Sequence, residues 1–209
     1  LWQGLELVAD LNHSIEVFDN NSDAPHLEHL HGGGRVAAYE NEVDGYRYHQ
    51  RETMNLDAVD TSDSQSLTGE SSGDVRTEKT LTTVNAYYGT GVMLARFVEA
   101  NGIQLLCTTP IDDGTCRVYS VAMMRSPTAG ADKAQDESIR SHFAAHIVDG
   151  LRRDGEVWMH KKPALQIFQL PTDGPFARAR KWYSQFFNPR DKADEILKSI
   201  AGKCYVPGI

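Results

Sequence analysis

Residues 80–125 read TLTTVNAYY (80–88), GVMLARFVEA (91–100), GIQLLCTTPI (102–111) and TCRVYSVAMMR (115–125). Between these β-rich runs stand Thr90-Gly91, Asn101-Gly102 and Asp112-Asp113-Gly114. A glycine beside Asn, Asp or Thr supplies the backbone freedom that tight hairpins need, so the four runs predict an antiparallel meander. Taking Asp113-Gly114 as the turn centre sets Leu105, Cys107 and Thr109 opposite Ala122, Ser120 and Val118. Cys107 then faces Ser120 rather than Cys116, which argues against a cross-strand disulfide. One face of this sheet is apolar and small-chained, as suits either core beneath a helix or the wall of a cavity.

Outward from the meander, residues 132–160 form one long amphipathic segment that predicts a helix. Pro163 and Pro171 mark an extended break. DGPFARARKWYSQFF (173–187) restarts a helix, with Pro175 near its first turn and Phe176, Ala179, Tyr183 and Phe186 on one face. NPRDKADEILKSI (188–200) predicts a further short helix. Before the meander, 5–18 and 45–56 read as strands, and 19–31 as a short polar, His-rich stretch. Residues 57–79 hold six acids, two bases and eight Ser or Thr. That segment has too few apolar side chains to bury and reads as a mobile loop. Strands, then a long helix, then short helices make an α+β fold, with an antiparallel sheet wrapped on a helix.

Composition narrows the function classes. The chain has 209 residues, 40% hydrophobic and 24% charged, with a net charge of −8. That is enough for one domain, residues 1–209, with a real core. The acidic balance opposes nucleic-acid binding. No run of about 18 apolar residues predicts a membrane span. Three cysteines without a CxxC or CxH pair make neither a zinc ribbon nor an iron–sulfur site, and read as reduced thiols in a cytoplasmic protein. The opening LWQGLELVAD lacks a basic leader and a starting Met, as in a chain taken from part-way along a longer protein.

Two places carry chemistry. Asp23-Ala-Pro-His26-Leu-Glu-His29-Leu-His31 packs three histidines into six residues. On an ideal helix His26 and His31 lie about 140° apart. A kinked or fraying helix would aim both at one ion, and Pro25 and Gly32-Gly33-Gly34 supply the irregularity at both ends. The spacing fits neither HExxH nor HxxEH, and no HxD occurs. The second place is Asp154. It falls in the middle of the helical stripe formed by Ile139, Phe143, Ile147, Leu151 and Trp158, whereas Glu156 falls opposite. A carboxylate in a core needs a cation, a partner or a neutral form. Either it pairs with Arg152, Arg153 or Lys161, or the stripe end reaches solvent, or it holds a metal. Two imidazoles and one carboxylate make the 2-His-1-carboxylate facial triad of Fe(II) oxygenases, with His26, His31 and Asp154 as ligands. Asp23, one turn before His26, is then the natural partner for its other ring nitrogen.

Asn20-x2-Asp23-x2-His26-x4-His31 resembles the iron-binding segment of Rieske non-haem iron oxygenases. Asp154-x3-Trp158-x-His160-Lys161, Asp173-Gly174-Pro175 and Arg180-x-Trp182-Tyr183-x-Gln185-Phe186-Phe187 are similar to the catalytic-domain end of the 3-ketosteroid 9-alpha-hydroxylase-like branch. The resemblance implies a helix-grip (Bet v1/START-like) domain, in which a curved antiparallel sheet wraps on a long C-terminal helix. It implies Fe(II) on His26, His31 and Asp154, and a terminal oxygenase that hydroxylates an apolar, polycyclic substrate, steroid-like or aromatic. Electrons would come from a [2Fe–2S] Rieske cluster in a neighbouring subunit of a homotrimer, supplied by a reductase or ferredoxin, with Asp23 as the bridge. The CxH and CxxH motifs of a cluster domain do not occur here, so that domain would precede this chain or belong to a separate one. Leu105, Ala122 and Met124 would form the pocket wall. Pro25 and the insert 57–79 depart from the family pattern. A metal-free carrier of sterol-like ligands on the same fold, and a zinc hydrolase, are the rival readings.

Overall fold

Strand alternation turns three rows of side chains to one face of the sheet. The computed structural model describes residues 3–5, 14–56, 80–112, 114–162, 164 and 166–207. Within them run β1 (Gln3–Leu5), α1 (Ser14–Asp19), a 3-10 turn (Asn20–Ser22) and α2 (Ala24–His29). β2 (Arg35–Asp44), β3 (Arg47–Asn55), β4 (Thr80–Tyr88), β5 (Val92–Phe97), β6 (Gly102–Pro110) and β7 (Cys116–Met124) follow. Then come α3 (Lys133–His160), α4 (Phe176–Ser184), a second 3-10 turn (Gln185–Phe187), α5 (Arg190–Ile200) and β8 (Gly202–Pro207). The strands form one antiparallel sheet in the order β1-β7-β6-β5-β4-β3-β2-β8. The α+β class, with a curved antiparallel sheet against a long helix, is the expected one.

The first inward row is Val43–Tyr48–Tyr87–Met93–Leu106–Ser120. The second is Asn41–Gln50–Asn85–Ala95–Gln104–Ala122, and the third is Tyr39–Glu52–Thr83–Phe97–Gly102–Met124. α3 closes over them. Its Phe143 ring occupies the place of a side chain at Gly102, where a Cβ would come within 2.3 Å of the ring. The same ring meets Phe97 edge-on at 5.6 Å. Ile147 packs with Ala122, while Leu151 and Trp158 join the larger core with Tyr87 and Met93. Burying these large side chains is the main stabilising term. The Asp132 side chain accepts from Gln135 N at 2.9 Å and caps the helix start. No helix among the described residues is long and apolar enough to cross a membrane.

Three local readings change. Residues 14–18 are helical, not extended, and 6–13 lie outside the described residues. In six residues a period of 2 and a period of 3.6 are hard to tell apart. What decides is Phe18, which packs against Tyr48, Tyr87, Trp182 and Tyr183. On α4 the buried face is Phe176, Ala179, Trp182 and Tyr183, while Phe186 is exposed. Trp182 turns inward because its indole N–H finds the Gly45 carbonyl at 3.1 Å. In the β6–β7 hairpin Leu105 pairs with Val121 and Cys107 with Tyr119, one residue off the expected register. The loop is longer than a two-residue turn: Ile111 N meets Thr115 O at 2.9 Å, and the Asp112 carboxylate accepts from Gly114 N, Thr115 N and Thr115 Oγ1. All three cysteines are free, as anticipated. The insert 57–79 and Pro163 lie outside the described residues.

A buried ionic knot ties α1 to the far helices. Asp19 is fully buried and takes Arg180 through both carboxylate oxygens, with Nε at 3.1 and 3.2 Å and Nη2 at 2.5 Å. Lys161 sits 2.7 Å from buried Glu16 and 3.5 Å from Asp19. Removing one partner of such a pair strands the other charge. Arg180→Ala should therefore lower the unfolding free energy by about 3 kcal/mol in urea titration. A loss below about 1 kcal/mol would show that Lys161 alone satisfies Asp19.

Candidate metal centre

The His-rich segment meets the sheet where its helix runs out. α2 begins at Ala24 with Pro25 in its first turn and ends at His29. Leu30 N and His31 N both reach the His26 carbonyl, at 2.7 and 3.4 Å, so the last turn is wound irregularly. Gly32 takes a left-handed φ of +67°, and a Cβ on Gly34 would lie 1.5 Å from the Asn55 carbonyl. The glycines thus let the chain leave the helix and press against the end of β3. His31 is thereby freed from helical geometry and swings beside His26, with ring centroids 5.1 Å apart.

Asp154 arrives from α3. It is buried in the apolar stripe beside Phe143, Ile147, Leu151 and Trp158, and Glu156 is exposed. Its partner is neither an arginine nor Lys161: Oδ1 lies 3.0 Å from His31 Nε2. Arg153 instead pairs with Asp149. One ligand atom from each of His26, His31 and Asp154 lies within 4.8 Å of the others. The His31 ring also rests on Gly150, where even a Cβ would stand 3.7 Å away.

The surroundings suit a cation held by neutral imidazoles. His26 Nδ1 hydrogen-bonds the main-chain carbonyl of Asp23, so this nitrogen carries the proton. Its Nε2 then offers a lone pair, here met by the Asn20 side-chain N–H at 3.2 Å. Burial pulls the His26 pKa below 6.5 against the attraction of Asp154, which keeps the ring a donor of electrons. Two neutral imidazoles and a carboxylate are a donor set for Fe(II). The expected contact between Asp23 and His26 is therefore present, but the peptide carbonyl makes it rather than the carboxylate. Asn20, quoted in the motif without a role, is a site residue: its Oδ1 also faces Trp158 Nε1 at 3.4 Å.

His26, His31 and Asp154 sit on the wall of a cavity of about 180 Å³. Its apolar lining includes Val17, Leu27, Met54, Leu81, Met93, Phe97, Leu106, Ile147, Leu151 and Trp158. Its polar lining includes Glu52, Thr83, Asn85, Tyr87 and Gln104. The expected wall residues are elsewhere. Ala122 packs with Phe143 and Ile147 in the core, and Met124 packs beside them. The one-residue register difference turns Leu105 to the opposite face of the sheet and brings Gln104 and Leu106 inward.

A family model for the C-terminal domain of 3-ketosteroid 9α-hydroxylase matches residues 2–187. The chain belongs to that family, a Rieske oxygenase catalytic domain. No curated protein matches the sequence. Among solved structures, Pseudomonas putida CBB5 NdmB has 13% identity and a TM-score of 0.55, over 98% of this chain and 56% of that one. Pseudomonas putida CBB5 NdmA with caffeine has 11% identity and a TM-score of 0.50, over 100% and 57%. A quaternary ammonium Rieske monooxygenase described for carnitine oxidation by gut microbiota has 10% identity and a TM-score of 0.50, over 76% and 38%. At these identities the likeness is one of fold, and the chain spans 38% to 57% of the length of those three proteins.

Glu52 is the other acid on this wall. It is only 4% exposed, and burial pushes its carboxyl from 4.5 up to about 8. Below pH 4.5 the acid is protonated in both folded and unfolded chains. As pH rises toward about 8, only the unfolded chain ionises, so stability falls across that window and levels off above it. Glu52→Gln should remove this slope. Its advantage over the parent should be about 3 kcal/mol larger at pH 7.5 than at pH 5. Urea titrations at the two pH values check it; an equal difference at both would show an ordinary carboxylate.

Proposed function

We propose that this chain is the catalytic domain of a terminal oxygenase that holds Fe(II) on His26, His31 and Asp154. It would use dioxygen to hydroxylate an apolar, polycyclic molecule, steroid-like or aromatic. The convergence of those three side chains on the wall of a largely apolar cavity carries the reading. When bound, the iron supplies activation of dioxygen next to the substrate. The rest falls to the chain itself. The Asp23 carbonyl fixes the His26 tautomer, so that Nε2 faces the site. The stripe of α3 around Asp154 and the wall of β4–β6 exclude water and hold apolar surface. The substrate class follows from the family resemblance, and the largely apolar wall supports it; the caffeine and carnitine of the solved structures belong to those proteins.

Electrons would reach the iron from a Rieske [2Fe–2S] cluster, carried by a preceding domain or by a partner chain and fed by a reductase or ferredoxin. In a homotrimer the cluster would come from the neighbouring subunit. Asp23 would be the bridge. Its peptide carbonyl already engages His26, which leaves its half-buried carboxylate for a second partner.

Protein purified without oxygen should carry iron approaching one atom per chain. His26→Ala, His31→Ala and Asp154→Ala should each reduce iron affinity at least about tenfold while the fold persists. Asp23→Asn should keep most of its iron, because the main chain makes the His26 contact. It should still lose turnover when assayed with the cluster domain and reductase. Full iron occupancy in both histidine variants overturns the ligand set. A parent protein that binds no iron favours the sterol-type carrier, and hydrolysis with tightly bound zinc under anaerobic conditions favours the hydrolase. Normal turnover in Asp23→Asn removes the bridge.

A further inference from the structure

We propose that Glu52, as a neutral carboxylic acid, recognises the substrate: its O–H donates a hydrogen bond to a carbonyl or hydroxyl oxygen on an otherwise apolar molecule in the cavity. This rests on reading the cavity as a substrate site, and it names a feature the substrate must carry. Four observations converge on it. Glu52 lies in the third inward row of the sheet, on the cavity wall beside Thr83. It makes no ion pair among the described residues, and the described lining contains no lysine or arginine. A carboxyl so buried with no cation to meet it keeps its proton. A hydrogen-bond relay then points to the oxygen that is used. Tyr39 O–H donates to Gln50 Oε1 at 2.6 Å, which turns the Gln50 amide N–H toward Glu52 Oε1. With Oε1 accepting from Gln50, the acid proton belongs on Oε2, the oxygen left to act as donor.

The relay is itself anchored. The Tyr39 hydroxyl has one proton, shared between Gln50 Oε1 and the Asn21 carbonyl 3.0 Å away, and the Asn21 side chain holds Asn85 at 3.1 Å and the Tyr87 hydroxyl at 2.6 Å. Asn21 adjoins Asn20, so one peptide unit links the metal-site contacts to the polar end of the cavity. An apolar molecule with one oxygen would be oriented by this end and presented to the ligands on the other wall. The same neutral acid has no counter-charge to offer a cation unless it first gives up its proton.

The titratable groups facing this region are Tyr39 on β2, Tyr48 on β3, Tyr87 on β4, His26 and His31 at α2, and His146 and Asp154 on α3. Burial raises Tyr39, Tyr48 and Tyr87 above 10 and lowers His26 below 6.5, away from the range in which Glu52 titrates. A pH-dependent preference near 8 that vanishes on replacing Glu52 therefore reports this acid.

The test uses the whole chain, iron-free, and equilibrium dialysis with four three-ring probes of one shape: fluorene, 9-fluorenone, 9-fluorenol and 9-aminofluorene. At pH 6.5 the ketone and the alcohol should bind about three- to tenfold tighter than the hydrocarbon, one hydrogen bond's worth. At pH 9 the parent should lose the preference for the ketone, while the alcohol keeps one by donating its own O–H to the carboxylate. Glu52→Gln should keep the ketone preference at both pH values, because an amide N–H still donates. Glu52→Leu should lack it at both, and if that variant does not fold, the pH profile of Glu52→Gln decides alone. Equal binding of hydrocarbon and ketone by the parent overturns the proposal. So does a preference unchanged in Glu52→Leu, or one lost in Glu52→Gln. Tightest binding of the amine, abolished in Glu52→Gln, replaces it with a carboxylate that pairs with ammonium groups. Failure of all four probes to bind overturns it together with the cavity as a substrate site. Because the measurement needs no metal, a Glu52-dependent preference in a chain that never binds iron would sink the oxygenase reading and leave this one standing.

Discussion

A carboxylate on the apolar face of a 28-residue helix imposes a demand on everything around it. Asp154 lies between Leu151 and Trp158, both buried, and an unmet charge there would cost several kcal/mol. The basic residues near it in sequence do not serve it: Arg153 pairs with Asp149, and Lys161 is drawn to Glu16 and Asp19. The partner has to come from another element, and His31 fills the place at 3.0 Å. Much of the local architecture follows from that encounter. The ring lies over Gly150, α2 stops at His29, and the three glycines carry the chain away toward β2.

The ionic knot at Asp19 serves the same end from a greater distance. His26 stands seven residues after Asp19, and the intervening stretch is a 3-10 turn and a one-turn helix entry with few hydrogen bonds of its own. Short helices have little intrinsic stability. Fixing Asp19 to Arg180 and Phe18 among four aromatic rings supplies, from α4 and the sheet, the rigidity that the site segment lacks. Gly174 adds a third tie, its N–H donating to Ser22 O at 2.7 Å with the Tyr39 ring against its α-carbon side. The run Asp173-Gly174-Pro175 is thus held against the segment that precedes the ligands, although it is far from them in sequence.

How much of this was legible depends on the range of the interaction that decides it. The meander and α3 could be read because their patterns span nine or more residues, and Asp154 because it breaks such a pattern. His26 and His31 are legible as residues, and their convergence only through Pro25 and the three glycines after them, since a regular helix would separate the two rings. α1 reads as extended because six residues carry too little periodicity and its docking partners lie on β3, β4 and α4. Neither β2 nor β8 is legible in the sequence. β2 carries Glu40 and Glu42 on its outer face and a bulge between Val36 and Ala38, and β8 is a strand chiefly through its pairing with β2. The register of β6 and β7 turned on the Asp112 carboxylate, which organises a longer loop than the Asp-Gly pair suggests. That one residue exchanged the pocket wall from Leu105 to Gln104 and Leu106.

Glu52 shows the opposite limit. Alternation in residues 45–56 already places Tyr48, Gln50, Glu52 and Met54 on one face, and that face turned out to be the buried one. Nothing in the strand itself says that an acid at its centre will meet no cation. That fact depends on β2 contributing Tyr39, on β4 contributing Thr83, and on α3 contributing no lysine or arginine to the cavity lining. The two acids of this cavity therefore stand in contrasting environments. Asp154 faces the imidazoles of His26 and His31, which could share a cation with it. Glu52 meets the Gln50 amide, and no lysine or arginine stands in the described lining, so burial pushes its carboxyl toward the protonated form. The proposed division of work follows from that contrast: the helix side would hold the ion, and the sheet side would meet the substrate.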